Sequence, residues 1–158
     1  MTNSFSGLEM LKIAMLMEDE GYKFYKNGAN NTSGKLKEFL LSAEKQEFIH
    51  KEKFAKLHKE LEAKNEDASE YLYDDEVSGY LKSLIENQVY KKEEEYKNAF
   101  VDLKTAVKNA YDTEVRTVEI YTKLYNGIND DEAKKIMAII IDEEKDHAAY
   151  FKKLMNEI

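Results

Sequence analysis

Apolar and aromatic side chains recur along four stretches of this chain at spacings that alternate between three and four residues. Leu8, Leu11, Met15, Glu18, Tyr22, Tyr25 and Ala29 form the first series, and Leu36, Leu40, Ala43, Glu47, His50, Phe54, Leu57 and Leu61 the second. Val107, Tyr111, Glu114, Val118, Tyr121 and Tyr125 form the third, followed by Ala133, Met137, Ile140, Glu144, His147, Phe151, Leu154 and Ile158. Such an alternation is the seam that a helix presents to its neighbours in a bundle, so the pattern predicts four long helices. Every seam position is apolar or aromatic except four glutamates and two histidines. A carboxylate in a dry core costs several kcal/mol unless something neutralises it. Two divalent cations would balance the four.

Local signals bound the helices. Ser6 with Glu9 reads as a capping box that opens the first helix, expected to end near Asn27. Residues 28–34 are turn material, and the second helix runs from about Lys35 to about Lys64. Asp102 is the expected N-cap of the third helix, which ends near Asn126-Gly127. Asn129, with Glu132 three residues on, opens a fourth helix that runs nearly to Ile158. Residues 65–101 lack the long seam, although Val77, Leu81, Leu84, Ile85 and Val89 suggest a short accessory helix over 75–90. The expected fold is therefore all-α. It is a single domain of two αα-hairpins (6–64 and 102–158) joined by a long crossover that traverses the bundle.

The two hairpins repeat one another. Ala14-x-x-x-Glu18 matches Ala110-x-x-x-Glu114, and Tyr25 and Tyr121 each follow their glutamate by seven residues. Glu47-x-x-His50-x-x-x-Phe54-x-x-Leu57 matches Glu144-x-x-His147-x-x-x-Phe151-x-x-Leu154. The midpoint of Glu18 and Glu47 falls in the first turn, and that of Glu114 and Glu144 in the second, so each hairpin sets its two glutamates side by side. Residues three apart share a helix face, which brings His50 to Glu47 and His147 to Glu144. Facing hairpins unite all six.

Composition narrows the chemistry. The chain has no proline and six glycines, which favours helix almost throughout. It has no cysteine, which removes disulfides, thiolate metal sites and cysteine catalysis. A net charge of −8 argues against nucleic acid as a partner. No signal peptide and no membrane-spanning stretch are legible, so a cytoplasmic location is expected. A shell of Glu and His suits iron or manganese better than calcium, magnesium or structural zinc.

Either motif alone is weak, because glutamate is abundant and a Glu three residues before a His arises readily by chance. Two such motifs on the seam, each facing a lone glutamate, are not so easily met. Glu18, Glu47, His50, Glu114, Glu144 and His147 are therefore read as metal ligands. His58 lacks the motif and reads as a solvated structural residue. Tyr22, Tyr25, Tyr121 and Tyr125 read as core, with Tyr22, Tyr25 and Tyr121 as candidates for a hydrogen bond to a ligand.

With these motifs in hand, the chain resembles the rubrerythrin type of the ferritin-like superfamily. Met17-Glu18-x-x-Gly21-x-x-Phe24-Tyr25 and Asp142-Glu143-Glu144-Lys145-Asp146-His147 carry the resemblance, which covers the four main helices. The same ligand set is the one described for ferritin-like di-metal bundles in general. The resemblance implies two iron ions per chain, with manganese or a mixed site as alternatives. Glu18 and Glu114 would be terminal ligands, Glu47 and Glu144 bridges, and His50 and His147 caps on one metal each. Rubrerythrins also carry a rubredoxin-like domain whose iron is held by four cysteines, and this chain has none. Its electrons are therefore expected from an external, rubredoxin-like donor. Where rubrerythrins have an additional glutamate one turn past the first ligand of the third helix, this chain has Thr117; Glu119 points away from the seam.

Three functions follow as expectations. The first is a di-iron oxidoreductase that reduces peroxide or activates O2 in oxidative-stress defence. The second is a ferroxidase that handles iron as ferritins do. The third is a non-catalytic, metal-stabilised helical module. A manganese catalase is a further variant, and a homodimer is the expected assembly.

Overall fold

The computed structural model describes residues 7–64, 100–126 and 131–158. Among these residues there are four helices and no strand: α1 (Gly7–Asn30), α2 (Gly34–Lys64), α3 (Leu103–Asn126) and α4 (Asp131–Glu157). The accessory helix expected over 75–90, and the caps expected at Ser6 and Asn129, lie outside the described residues.

α1 runs three residues beyond the expected Asn27, and the reason is burial. Gly28 and Ala29 are covered, so continuing the helix removes them from water. Its last carbonyls find partners in the turn: Asn31 Nδ2 donates to the Asn27 carbonyl at 2.8 Å, and the Thr32 hydroxyl to that of Gly28 at 2.9 Å. Gly34 takes a φ of 66° in this turn, the left-handed region that glycine enters without strain. Asp102 caps α3 as expected, its Oδ1 accepting from the Thr105 amide at 2.7 Å.

The seam glutamates and most seam hydrophobics are buried. Met15, Tyr22, Leu36, Leu57, Tyr111, Val118, Tyr125 and Leu154 sit half-buried at its edges, and Ile158, past the end of α4, is exposed. α1 buries a second stripe that its single seam does not predict: Met10, Ile13, Met17, Phe24 and Gly28. At one end of this stripe the cover is Phe100, whose ring centroid lies 4.8 Å from that of Phe24.

α1 packs along α2 and α3 along α4, and the hairpins meet through α1 against α4 and α2 against α3. Side chains of α2 and α4 also reach each other: the Phe39 and Phe151 rings lie 5.8 Å apart, and Lys53 pairs with Glu143. Residue numbers rise along α2 as they fall along α4, so those helices are antiparallel, and α2 and α3 are parallel. The second hairpin therefore starts at the end of the bundle where α2 starts. Phe100, over Gly28 at the C-terminal end of α1, occupies that same end. Lys64 and Phe100 therefore lie at opposite ends of α2, whose 31 residues span about 46 Å. The return expected of a crossover is thus visible at its two ends.

A Cβ on Gly28 would stand 2.6 Å from Phe100 Cε2. Gly28→Ala should accordingly destabilise the protein by about 1–3 kcal/mol through overpacking. In a Phe100→Ala background the same change should stabilise by up to about 1 kcal/mol, because alanine is the better helix former. Urea unfolding of the four proteins measures the difference; equal effects in both backgrounds would show that the ring does not set the constraint.

Candidate metal centre

Each helix contributes one carboxylate to the middle of the bundle: Glu18 from α1, Glu47 from α2, Glu114 from α3 and Glu144 from α4, all buried. His147 is buried beside them, and His50 is half-buried at the rim. His147 Nδ1 lies 3.1 Å from Glu114 Oε1. His50 Nδ1 lies 3.7 Å from Glu144 Oε1 and 3.8 Å from Glu18 Oε1. The two imidazole centroids are 4.7 Å apart. All six residues picked out by the seam therefore converge.

The ligand-type atoms are close enough to share an ion. His50, Glu144 and His147 offer atoms within 4.8 Å of one another, and so do Glu47, Glu114 and His147. His147 belongs to both groups, and Glu18 borders them through His50. Among the described residues, many of these atoms make no hydrogen bond. Glu18 Oε2, Glu47 Oε1, Glu144 Oε1, His50 Nδ1 and both ring nitrogens of His147 are buried without a hydrogen bond. Buried polar atoms are rarely left so, because each forfeits its hydration. This donor set fits a metal of mixed oxygen and nitrogen preference.

The electrostatics show how the cluster accommodates itself without metal. Burial, with the charge of Glu144, pushes Glu18 well above the usual carboxylate range. Burial also raises Glu47, assisted by Glu18, and Glu114, assisted by Glu144. Burial opposes ionisation of Glu144 too, but its polar contacts with Glu18, Glu114 and His50 outweigh it and hold that carboxyl below its usual value. His50 is raised because its contacts with Glu144 overcome its partial burial. His147, more deeply placed, is lowered to about 4 by burial. Charge is thus disfavoured on Glu18, Glu47 and Glu114 and favoured on Glu144, which their contacts support.

The tyrosines separate. Tyr25 and Tyr121 are fully buried, and their hydroxyls have no hydrogen-bond partner. Burial and the surrounding glutamates raise both well above the usual phenol value, so both keep their protons. Tyr22 is placed elsewhere: Lys26 Nζ donates to its hydroxyl at 3.4 Å and its ring lies 6.0 Å from Phe48, on the outer edge of the α1–α2 pair. The buried face of α1 is centred on Ala14, Met17, Gly21 and Tyr25, which leaves Tyr22 at its margin. Tyr22 is therefore not beside the carboxylates. Thr117 is buried, and its hydroxyl donates to the Thr113 carbonyl at 2.9 Å, spent on its own helix. Glu119 is exposed, as expected. His58 lies half-buried, 3.5 Å from Glu62, and joins neither group.

One neighbour of the cluster was not picked out from the sequence. Glu143 Oε2 lies 3.6 Å from His50 Nε2, while its other oxygen pairs with Lys53. Glu143 immediately precedes a seam glutamate, and only the docking of α4 on α2 makes it a neighbour of His50.

A model of the rubrerythrin family matches residues 9–155. The chain belongs to the rubrerythrin family. Comparison with curated proteins and with solved structures gives no match. The match to the rubrerythrin family spans both hairpins and all six clustered residues, and membership implies an iron-binding protein. No helix among the described residues is long and apolar enough to cross a membrane.

The raised groups dictate a sign for the metal-free protein. A carboxyl raised by folding contributes stability that is present at low pH and lost as pH rises through its folded value. Glu18, Glu47, Glu114 and His50 all act in this direction. His147 opposes them only between its unfolded value of 6.5 and about 4. Above that window nothing in the cluster counters the rest. Thermal unfolding of metal-free protein should give a higher Tm at about pH 6.5 than at about pH 8. A lower Tm at the more acidic pH would contradict this electrostatic assignment.

Proposed function

We propose that the protein is a non-haem di-iron oxidoreductase that reduces hydrogen peroxide, or activates O2, in defence against oxidative stress. The observation that carries this reading is the convergence of four buried glutamates and two histidines, one carboxylate from each helix, with ligand-type atoms that make no hydrogen bond among the described residues. Glu18, Glu47, His50, Glu114, Glu144 and His147 would hold the two ions. A pair of ferrous ions supplies the two electrons that, with two protons, convert hydrogen peroxide to two waters.

The chain's own groups serve that chemistry. The apolar surround of Phe54, Phe151, Met137 and Ile140 excludes bulk water from the carboxylates. Tyr25 and Tyr121 keep their O–H protons within the field of all four glutamates and add no charge to the centre. Thr117 adds a neutral hydroxyl where a further carboxylate would change the charge of the centre. With no cysteine in the chain, reducing equivalents would come from an external rubredoxin-like protein. The working assembly we propose is a cytoplasmic homodimer. Exposed Leu16, Leu41, Phe48, Ile49 and Ile139 support an apolar contact between copies.

Elemental analysis of protein loaded anaerobically with Fe(II) should find two ions per chain. Glu47→Ala or Glu144→Ala should lose at least one, because each removes a buried carboxylate of one candidate group. Retention of two ions in both variants would sink the ligand assignment. Affinity should weaken as pH falls toward about 5, since protons compete for the same atoms.

The loaded diferrous protein should react faster with hydrogen peroxide than with O2 in stopped-flow measurements. An added rubredoxin should accelerate steady-state turnover and leave single-turnover oxidation unchanged. A stoichiometric diferrous centre inert to peroxide over minutes would overturn the enzyme and leave a metal-stabilised module. Mineral accumulation beyond two ions per chain would replace it with a ferroxidase.

A further inference from the structure

We propose that Glu143, tethered by Lys53, is a positioning residue for His50 with no counterpart at His147, so that the two halves of the centre bind divalent metal unequally. This inference rests on the metal-binding reading above. His50 turns its two ring nitrogens in opposite directions. Nδ1 faces Glu18 and Glu144 inside the bundle, and Nε2 faces Glu143 Oε2 at 3.6 Å on the rim. The second oxygen of Glu143 is taken by Lys53. That tether holds the carboxylate at a fixed place on the outer side of the imidazole. A carboxylate there favours the tautomer with its proton on Nε2 and leaves the Nδ1 lone pair directed at the carboxylate cluster. It also raises the basicity of the ring as a ligand.

The repeat provides an internal comparison. His147 matches His50 and Glu144 matches Glu47, so the place of Glu143 is taken in α2 by Gln46 and that of Lys53 in α4 by Tyr150. Neither charged partner is reproduced. The structure agrees with the sequence: His147 Nε2 is buried and has no hydrogen-bond partner. His147 is also set deeper than His50, which borders a surface hollow of about 320 Å³ lined by Ser42, Lys45, Gln46 and Ile49. An approximate two-fold repeat thus carries one oriented histidine and one that only its ligand contacts would orient. The two ions are not interchangeable.

The test is an anaerobic calorimetric titration of metal-free protein with Co(II), followed also by visible absorption. Wild-type protein should bind two ions in two resolved steps. Glu143→Gln should weaken one step by about 10- to 100-fold, the size expected for losing an outer partner of a ligand histidine, and leave the other within about threefold. Lys53→Met should weaken the same step by a smaller factor, and Glu143→Asp should restore part of the loss. The thermal midpoint of metal-free Glu143→Gln should match wild type, which separates positioning from a general loss of fold. Equal weakening of both steps, or no weakening in Glu143→Gln, would overturn the inference while leaving the metal centre in place. Failure of wild-type protein to bind two ions would instead overturn the reading on which it rests.

Discussion

Four carboxylates in one dry core are the constraint on which this structure turns. The rest of the seam is a conventional apolar bundle and would pack without them. Replaced by leucine, these positions would bury more surface and remove a desolvation penalty of several kcal/mol per charge. Their presence makes sense only if something positive takes the place of water. Without metal, burial disfavours charge on Glu18, Glu47 and Glu114, so the cluster as a whole favours taking up protons. A metal held by these residues, as proposed above, would compete with protons for the same oxygens. Stability and metal affinity therefore respond to pH in opposite senses.

The placement of the cluster explains the length and course of the helices. Each helix delivers one carboxylate from near its middle, so a turn or more of apolar seam seals the cluster on either side. In the first hairpin Leu11, Ala14, Phe54 and Leu61 lie on one side of the cluster, and Tyr25, Leu40 and Ala43 on the other. The second hairpin repeats the arrangement with Ala106, Ala110, Tyr121, Met137, Ile140 and Phe151. Delivering both hairpins with their carboxylates level requires α3 to restart beside the start of α2. Phe100, lodged against Phe24 over Gly28, marks where the chain has come back.

Much of this was legible in the sequence, because helical spacing converts directly into position on a face. A Glu and a His three apart must share a face, and equal distances from a turn must share a height. Those two rules bring Glu18, Glu47 and His50 together in one hairpin and Glu114, Glu144 and His147 in the other, and facing the two seams unites all six. What depended on docking was not legible. Tyr22 satisfies the same spacing as Tyr25 but falls at the margin of the buried face, since a seam counted in threes and fours does not locate its own centre. The second buried stripe of α1 needed a cover, Phe100, from outside the four seams. Glu143 needed the approach of α4 to α2. The end of α1 was misplaced because Gly28 reads as a turn residue, whereas here its missing side chain makes room for a ring.

The contacts of Phe100 bear on the order in which the chain assembles. α1 with α2 closes over a short turn, and so does α3 with α4, whereas contacts between the hairpins join residues far apart in sequence. Chain entropy favours local pairs first, so the hairpins form before they dock. Before docking, each hairpin brings together only two carboxylates and leaves the seam beside them open to water. Like-charge repulsion among all four, and the loss of their hydration, fall on the final step. Anything that discharges the seam before the halves meet lowers that cost.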